Sequence, residues 1–370
     1  MDKKRMRPQF SIKGSMPFGY TLRWRCLIYL ILLSQWSVAD PIRIGGFFST
    51  GITDANKDNT VLLNNQIENK TNYLADTVFG LQLDTRLTKE TRFSAQLTAQ
   101  DKNNSFDLAA EWLFISQQLS TSVELRAGRL RLPIYFISET INVGQSYDWV
   151  RPPLEVYALT GGLTNYNGFS TLYKYNFYAS TIEAEIYLGQ AKDSLRVKNQ
   201  SLNVDTDHFY GGQITYIADR VIARASRIQT SATADFLDLG ITIDSSAEIS
   251  VVGFNYTQGN WSGLMEYGIL ETEDDGDTSA YYLSLHYTVD RLVPVVTFGS
   301  SRTNPDATSP TIKGSSVSLG VRYNFSERSS MKLQALKGEV LDGPSLVVLP
   351  GISGFDDEVT MYSATLNLIF

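Results

Sequence analysis

Apolar and polar side chains take turns along most of this chain. At its far end Tyr362, Ala364, Leu366, Leu368 and Phe370 share one parity, and Ser363, Thr365 and Asn367 the other. Successive strand residues point to opposite faces, so a period of two marks a strand between two different surroundings. The same rhythm recurs upstream. Phe79, Leu81, Leu83 and Leu87 oppose Gln82, Asp84 and Arg86; Phe93, Ala95, Leu97 and Ala99 oppose Arg92, Ser94, Gln96 and Thr98. Ile182, Ala184, Ile186 and Leu188 oppose Glu183 and Glu185. Strands 1, 4, 5, 6 and 7 are expected near 42–53, 108–119, 123–131, 168–178 and 181–189. Tight turns at 89–90, 218–220, 258–260, 290–291 and 326–328 join further pairs, and the terminal segment is strand sixteen.

Short turns follow the even strands. Longer polar connections follow odd ones, near 54–76, 133–164, 190–207, 229–247, 302–315 and 341–357. Segments of about ten alternating residues with that rhythm are the signature of a transmembrane β-barrel. The expected fold is all-β: an antiparallel up-and-down barrel of sixteen strands, long loops outside and both termini in the periplasm. Closure is required because no water inside the hydrocarbon can satisfy an unpaired backbone group. Aromatics near strand ends, among them Trp112, Phe114, Tyr173, Tyr175, Tyr210, Tyr256, Trp261, Tyr267 and Phe325, are expected as headgroup girdles.

Targeting and charge narrow the setting. Residues 1–25 hold seven cations against the single acid Asp2, followed by the apolar run 26–33 and the small residues of Ser37-Val38-Ala39. That run is too short to span a bilayer, so residues 1–39 read as a cleaved secretory signal peptide and 40–370 as one barrel domain. Initiation at Met1 or at Met16 stays open. The remaining 370 − 39 = 331 residues contain no cysteine, and (32 − 7) cations against (39 − 1) acids leave −13. An acidic chain with scattered cations is no nucleic-acid binder.

The most distinctive segment runs Leu125-Arg-Ala-Gly-Arg-Leu-Arg-Leu-Pro133 and then Val143-Gly-Gln-Ser-Tyr-Asp-Trp-Val-Arg-Pro-Pro-Leu-Glu-Val-Tyr157. Gly128-Arg129 closes strand 5, and a connection of roughly thirty residues follows, far longer than most loops. With the terminal phenylalanine, this resembles the porin superfamily of Gram-negative bacteria over the whole mature chain. The resemblance implies a third external loop folded into the barrel, a homotrimer, outer-membrane lipid and lipopolysaccharide around it, and the barrel-assembly machinery as partner. The second loop, near 102–106, is very short, which argues against a latch reaching into a neighbouring barrel.

A loop across a sixteen-stranded lumen cuts the bore to molecular size, and charges facing each other there focus the field. The loop carries Glu139, Asp148, Arg151 and Glu155. Candidate wall cations are Arg86, Arg92, Arg126, Arg224, Arg322 and Lys332, with Arg129 and Arg131 at the end of strand 5. The expected function is passive diffusion of small hydrophilic solutes and ions through this constriction, with neither catalysis nor cofactor. A channel selective for an anion or a sugar is the alternative: Tyr147, Trp149, Tyr157 and Tyr166 either form a solute track or pack the loop to the wall. A barrel hydrolase, or a structural or adhesin barrel whose lumen is plugged, is the reading from another class. The two histidines, His208 and His286, sit in no recognisable catalytic motif, and His286 is expected as a solvated lumen residue. Asp274-Asp275-Gly276-Asp277 lacks the remaining ligands of a calcium loop.

Overall fold

The computed structural model describes residues 41–56, 60–61, 66–67, 71–102, 105–197, 200–236, 241–273, 276–304, 311–342 and 358–370. The signal region, Asp274-Asp275 and the loop tip 343–357 lie outside the described residues, as does the side chain of His208.

Among the described residues sixteen strands close into one antiparallel barrel. They are β1 (Arg43–Ala55), β2 (Val78–Arg86), β3 (Thr91–Lys102), β4 (Ser105–Gln118), β5 (Val123–Arg131), β6 (Asn165–Phe177), β7 (Ser180–Gln190) and β8 (Gln200–Ile217). The second half is β9 (Val221–Phe236), β10 (Ile241–Gln258), β11 (Trp261–Thr272), β12 (Gly276–Tyr287), β13 (Leu292–Asn304), β14 (Ile312–Ser326), β15 (Ser329–Asp342) and β16 (Glu358–Ile369). Each pairs with its chain neighbours, and β1 pairs with both β2 and β16, which closes the sheet and leaves no edge. At the seam Phe48 lies opposite Leu368, and the Phe370 N–H and C=O both bond to the Gly46 backbone.

The alternation becomes two faces. On β12, Tyr281, Leu283 and Leu285 stand exposed, while Ala280, Tyr282, Ser284 and His286 are buried. On β16, Tyr362, Leu366 and Leu368 are exposed, and Ser363, Thr365 and Asn367 are buried. A ring of exposed large apolar residues in a closed barrel is the lipid surface.

Two expectations are corrected. The stretches expected as loops at 190–207 and 229–247 are largely strand. Lys192–Val197 pairs with β8, and β8, β9 and β10 run for 18, 16 and 18 residues. Crossing the hydrocarbon takes only about 9–11. Their outer ends are wet on both faces, so they carry no hydrophobic period, but Thr, Val and Ile still favour extended backbone. Phe114 is not a girdle residue either: it packs against the main buried cluster, with the Arg126 guanidinium 5.9 Å from its ring centre.

Candidate functional site: the 132–164 segment and the strands that hold it

Between β5 and β6 the chain makes three 3-10 turns, at Ser138–Thr140, Gly144–Ser146 and Ala158–Thr160, and one helical turn, α1 (Leu154–Tyr157). Ahead of these turns, within β5, Gly128 at φ +136° lets the strand lie close to β4: a Cβ there would lie 2.3 Å from the Leu113 carbonyl oxygen. Pro152 and Pro153 stiffen the approach to α1.

The buried face of β9–β13 is not uniformly polar. Ile228, Ile249, Val251, Leu264, Val293 and Val295 form one cluster with Ile134, Trp149, Val156, Tyr157 and Leu159 of the segment. Three glycines on that face act as seats. A Cβ on Gly253 would lie 2.4 Å from the Phe136 ring, one on Gly268 would lie 2.5 Å from Leu159, and one on Gly299 would lie 2.5 Å from the Glu155 carboxylate. A strand glycine is used where another group approaches closely.

Polar bonds fix the register of this contact. Trp149 Nε1 donates to Ser284 Oγ and to Thr297 Oγ1, both at 2.9 Å. Lys332 Nζ donates to the carbonyls of Gly144 (2.5 Å) and Trp149 (2.6 Å), with the Tyr147 ring centre 4.2 Å away. Arg322 Nη1 donates to the Tyr147 carbonyl at 3.2 Å and to Asp148 Oδ1 at 3.1 Å. Arg224 Nη1 donates to the Tyr135 carbonyl at 2.5 Å. Glu266 accepts from the Phe136 N–H (2.9 Å) and from the Tyr282 hydroxyl (2.6 Å). Arg151 bridges to Asp76, to Thr53 Oγ1 at 2.5 Å and to Ser363 Oγ at 3.0 Å. Ser316 donates to the buried Glu155 carboxylate.

The candidate residues therefore divide. Asp148, Arg151, Glu155, Arg322 and Lys332, with Arg224, are brought together where segment meets strand. Arg131 is 8 % exposed and bound to Glu111 at 2.8 Å. Arg129 donates from Nε to the Ala110 carbonyl at 2.6 Å. Arg126 pairs with Glu124 at 2.7 Å. Glu139 stands exposed on the segment and acts through space on Arg126 and Arg131. Arg86 and Arg92 lie opposite each other beside the turn at 87–90, away from the segment. Trp149, Tyr157 and Tyr166 are 3 % exposed or less, so these aromatics pack rather than line a track.

His286 is not solvated. Its Nδ1 meets Asp148 Oδ2 at 2.7 Å, its Nε2 meets Ser284 Oγ at 2.9 Å, and the residue is 7 % exposed. Acid, imidazole and hydroxyl follow the order of a hydrolytic triad. Ser284, however, is fully buried, and its Oγ is also tied to Trp149 and Thr297. A hydroxyl so enclosed offers no approach to a substrate. Burial alone would raise the Asp148 carboxyl. The His286 hydrogen bond, with the charges of Arg322 and Lys332, outweighs it and holds the group below its ordinary value. Burial pushes the Glu155 carboxyl up, with the Ser316 hydrogen bond in partial opposition.

Sequence reasoning passed over Asp76, Asp101, Glu111 and Glu266 as charge partners, while Trp149 takes the loop-packing role that was one of its two expected readings. A signal existed for Glu266, a carboxylate at mid-strand between the apolar same-face neighbour Leu264 and Gly268. On the β1–β5 side the segment leaves a cavity of about 170 Å³, bordered by Ser49, Asp101, Glu111 and Arg131 of the strands and by Ile134, Tyr147 and Arg151 of the segment.

A closed cylinder of membrane-crossing strands, apolar outside and largely polar within, belongs to the class of outer-membrane channel barrels. Residues 27–339 match the family model described as Gram-negative porin, and the chain belongs to that family. Solved structures agree in fold. An anion-selective porin from Comamonas acidovorans superposes with a TM-score of 0.62 at 17 % identity, over 90 % of this chain and all of that one. OmpF of Salmonella typhi, in complex with daunomycin, gives 0.61 at 13 %, over 89 % of this chain and 97 % of that one. OmpT of Vibrio cholerae, in a trimer form, gives 0.57 at 12 %, over 90 % and 99 %. No curated protein matches the chain in sequence.

Proposed function

We propose that this protein is a porin that lets small hydrophilic solutes and ions diffuse passively across the outer membrane, and that the 132–164 segment lies across its lumen and narrows it. The observation that carries the reading is asymmetry: the apolar side of the segment packs on the buried face of β9–β13, polar bonds tie it to β14–β16 and, through Arg151, to β1 and Asp76, and a small mixed-charge cavity is left toward β1–β5. In this reading Glu139, opposed to Arg126 and Arg131, supplies the transverse field, and Arg224, Arg322 and Lys332 are loop anchors. The Asp148–His286–Ser284 chain is a latch rather than a catalytic relay. Residues 1–39 act as the cleaved signal peptide. A homotrimer fits the trimer form of the Vibrio relative, and small solutes fit the complex recorded for OmpF.

Single-channel recording in a planar bilayer tests this. Discrete steps in KCl are expected, and under a salt gradient Glu139→Gln shifts the reversal potential toward anions. Absence of current at any salt concentration would end the channel reading.

A further inference from the structure

The cavity between the segment and β1–β5 holds more hydrogen-bonding capacity than the protein uses. Arg131 spends Nη1 on Glu111 and Asn165, yet its Nε and Nη2 are buried without a partner among the described residues. Arg151 Nε and Asn142 Nδ2 are in the same state, and so is one acceptor, Asp101 Oδ1. Arg131 and Asp101 are 8 % and 3 % exposed, and all four residues border the cavity. Buried polar atoms find partners in nearly every native structure, so these are groups awaiting water or a solute.

Their chemistry is two-signed. Unspent guanidinium N–H groups suit a carboxylate, which takes a guanidinium as a fork. The unspent Asp101 oxygen suits an ammonium. The lining also offers apolar side chains, among them Ile134, Ile141, Val150 and Leu154. A volume of about 170 Å³ is room for several waters but lies below the roughly 300 Å³ of drug-sized sites. Resting on the channel reading above, we propose that this cavity is a transit subsite for a small zwitterion with an apolar side chain, such as a free amino acid. Its carboxylate would meet Arg131 and its ammonium Asp101.

The test uses the full mature chain in planar bilayers and proteoliposomes. Leucine is compared with N-acetyl-leucine, which lacks the ammonium, and with leucinamide, which lacks the carboxylate. Leucine should enter vesicles and modulate the ion current at about tenfold lower concentration than either analogue, the size expected for one charge-assisted contact. Asp101→Asn should abolish the preference over N-acetyl-leucine alone. The charge-balanced pair Arg131→Gln with Glu111→Gln should abolish the preference over leucinamide alone. Heat-modifiable gel migration confirms that the variants are folded, and the wild-type solute series stands without them. Ion current with equal responses to all three solutes would overturn the zwitterion site and leave the channel standing. Absence of ion current would remove both.

Discussion

At the scale of single residues, two acids on one segment respond to pH in opposite senses. Asp148 is held below its ordinary value of 3.8 by His286, Arg322 and Lys332. A depressed carboxyl contributes stability that is fully present above the unfolded value and lost as pH falls through the folded one. The docked arrangement should therefore persist to about pH 4 and loosen below it. Conductance and protease resistance of the segment, followed from pH 7 to 3, check this. Asp148→Asn should remove the transition and open the segment at every pH. Glu155 has a carboxyl raised by burial, so its ionisation costs stability as pH climbs from the ordinary 4.5 through the folded value. Glu155→Gln, which keeps a polar partner for Ser316, should stabilise the barrel at pH 7 by roughly 1–2 kcal/mol and do little below pH 4. Thermal unfolding at both pH values reads the difference. A destabilised Gln variant at pH 7 would show that the charge is needed there.

At the scale of elements, the 132–164 segment is keyed to glycines that present no side chain. Filling a seat should displace it. Gly253→Val puts branched bulk where a single Cβ already lies 2.4 Å from the Phe136 ring. The cost should be about 1–3 kcal/mol of docking, typical of overpacking, with a larger and noisier conductance while the barrel stays folded. Unchanged channel steps would mean that the seat is dispensable. The same contact explains what was legible from sequence and what was not. Crossings such as β2, β3, β7 and β16 announced themselves through period two, because lipid and water impose opposite demands on adjacent residues. The outer reaches of β8–β10 did not, since both of their faces meet water and residues such as Thr230, Ser231 and Thr233 satisfy either one. The wall that receives the segment was half legible. Leu292-Val-Pro-Val-Val296 is apolar on both parities, and a second apolar face needs cover. Nothing in the spacing of Asp148 and His286, 138 positions apart, foretold that they touch. Glu111 was hidden by a bulge: it is skipped between Ala110, opposite Leu97, and Trp112, opposite Gln96, which breaks the alternation of β4 where that acid sits.

At the scale of the whole molecule, the controlling fact is that the two faces of one sheet see different media. Adjacent residues on β2 allow a test with position held nearly constant. Leu81 is exposed on the outer face, opposite Gly46 of β1 and Leu97 of β3. Gln82 points the other way, its amide bonded to Asp84 at 2.8 Å. An arginine at a lipid-facing site near mid-membrane costs about 2–4 kcal/mol, whereas a lumen site is wet and here has an acid beside it. Leu81→Arg should therefore lower stability against urea in lipid vesicles by about that amount, and Gln82→Arg by less than about 1 kcal/mol. In a soluble sandwich the order would invert, because Leu81 would face water and Gln82 the core. Equal losses would mean that both faces meet the same surroundings, and a porin lumen could not then exist behind β2.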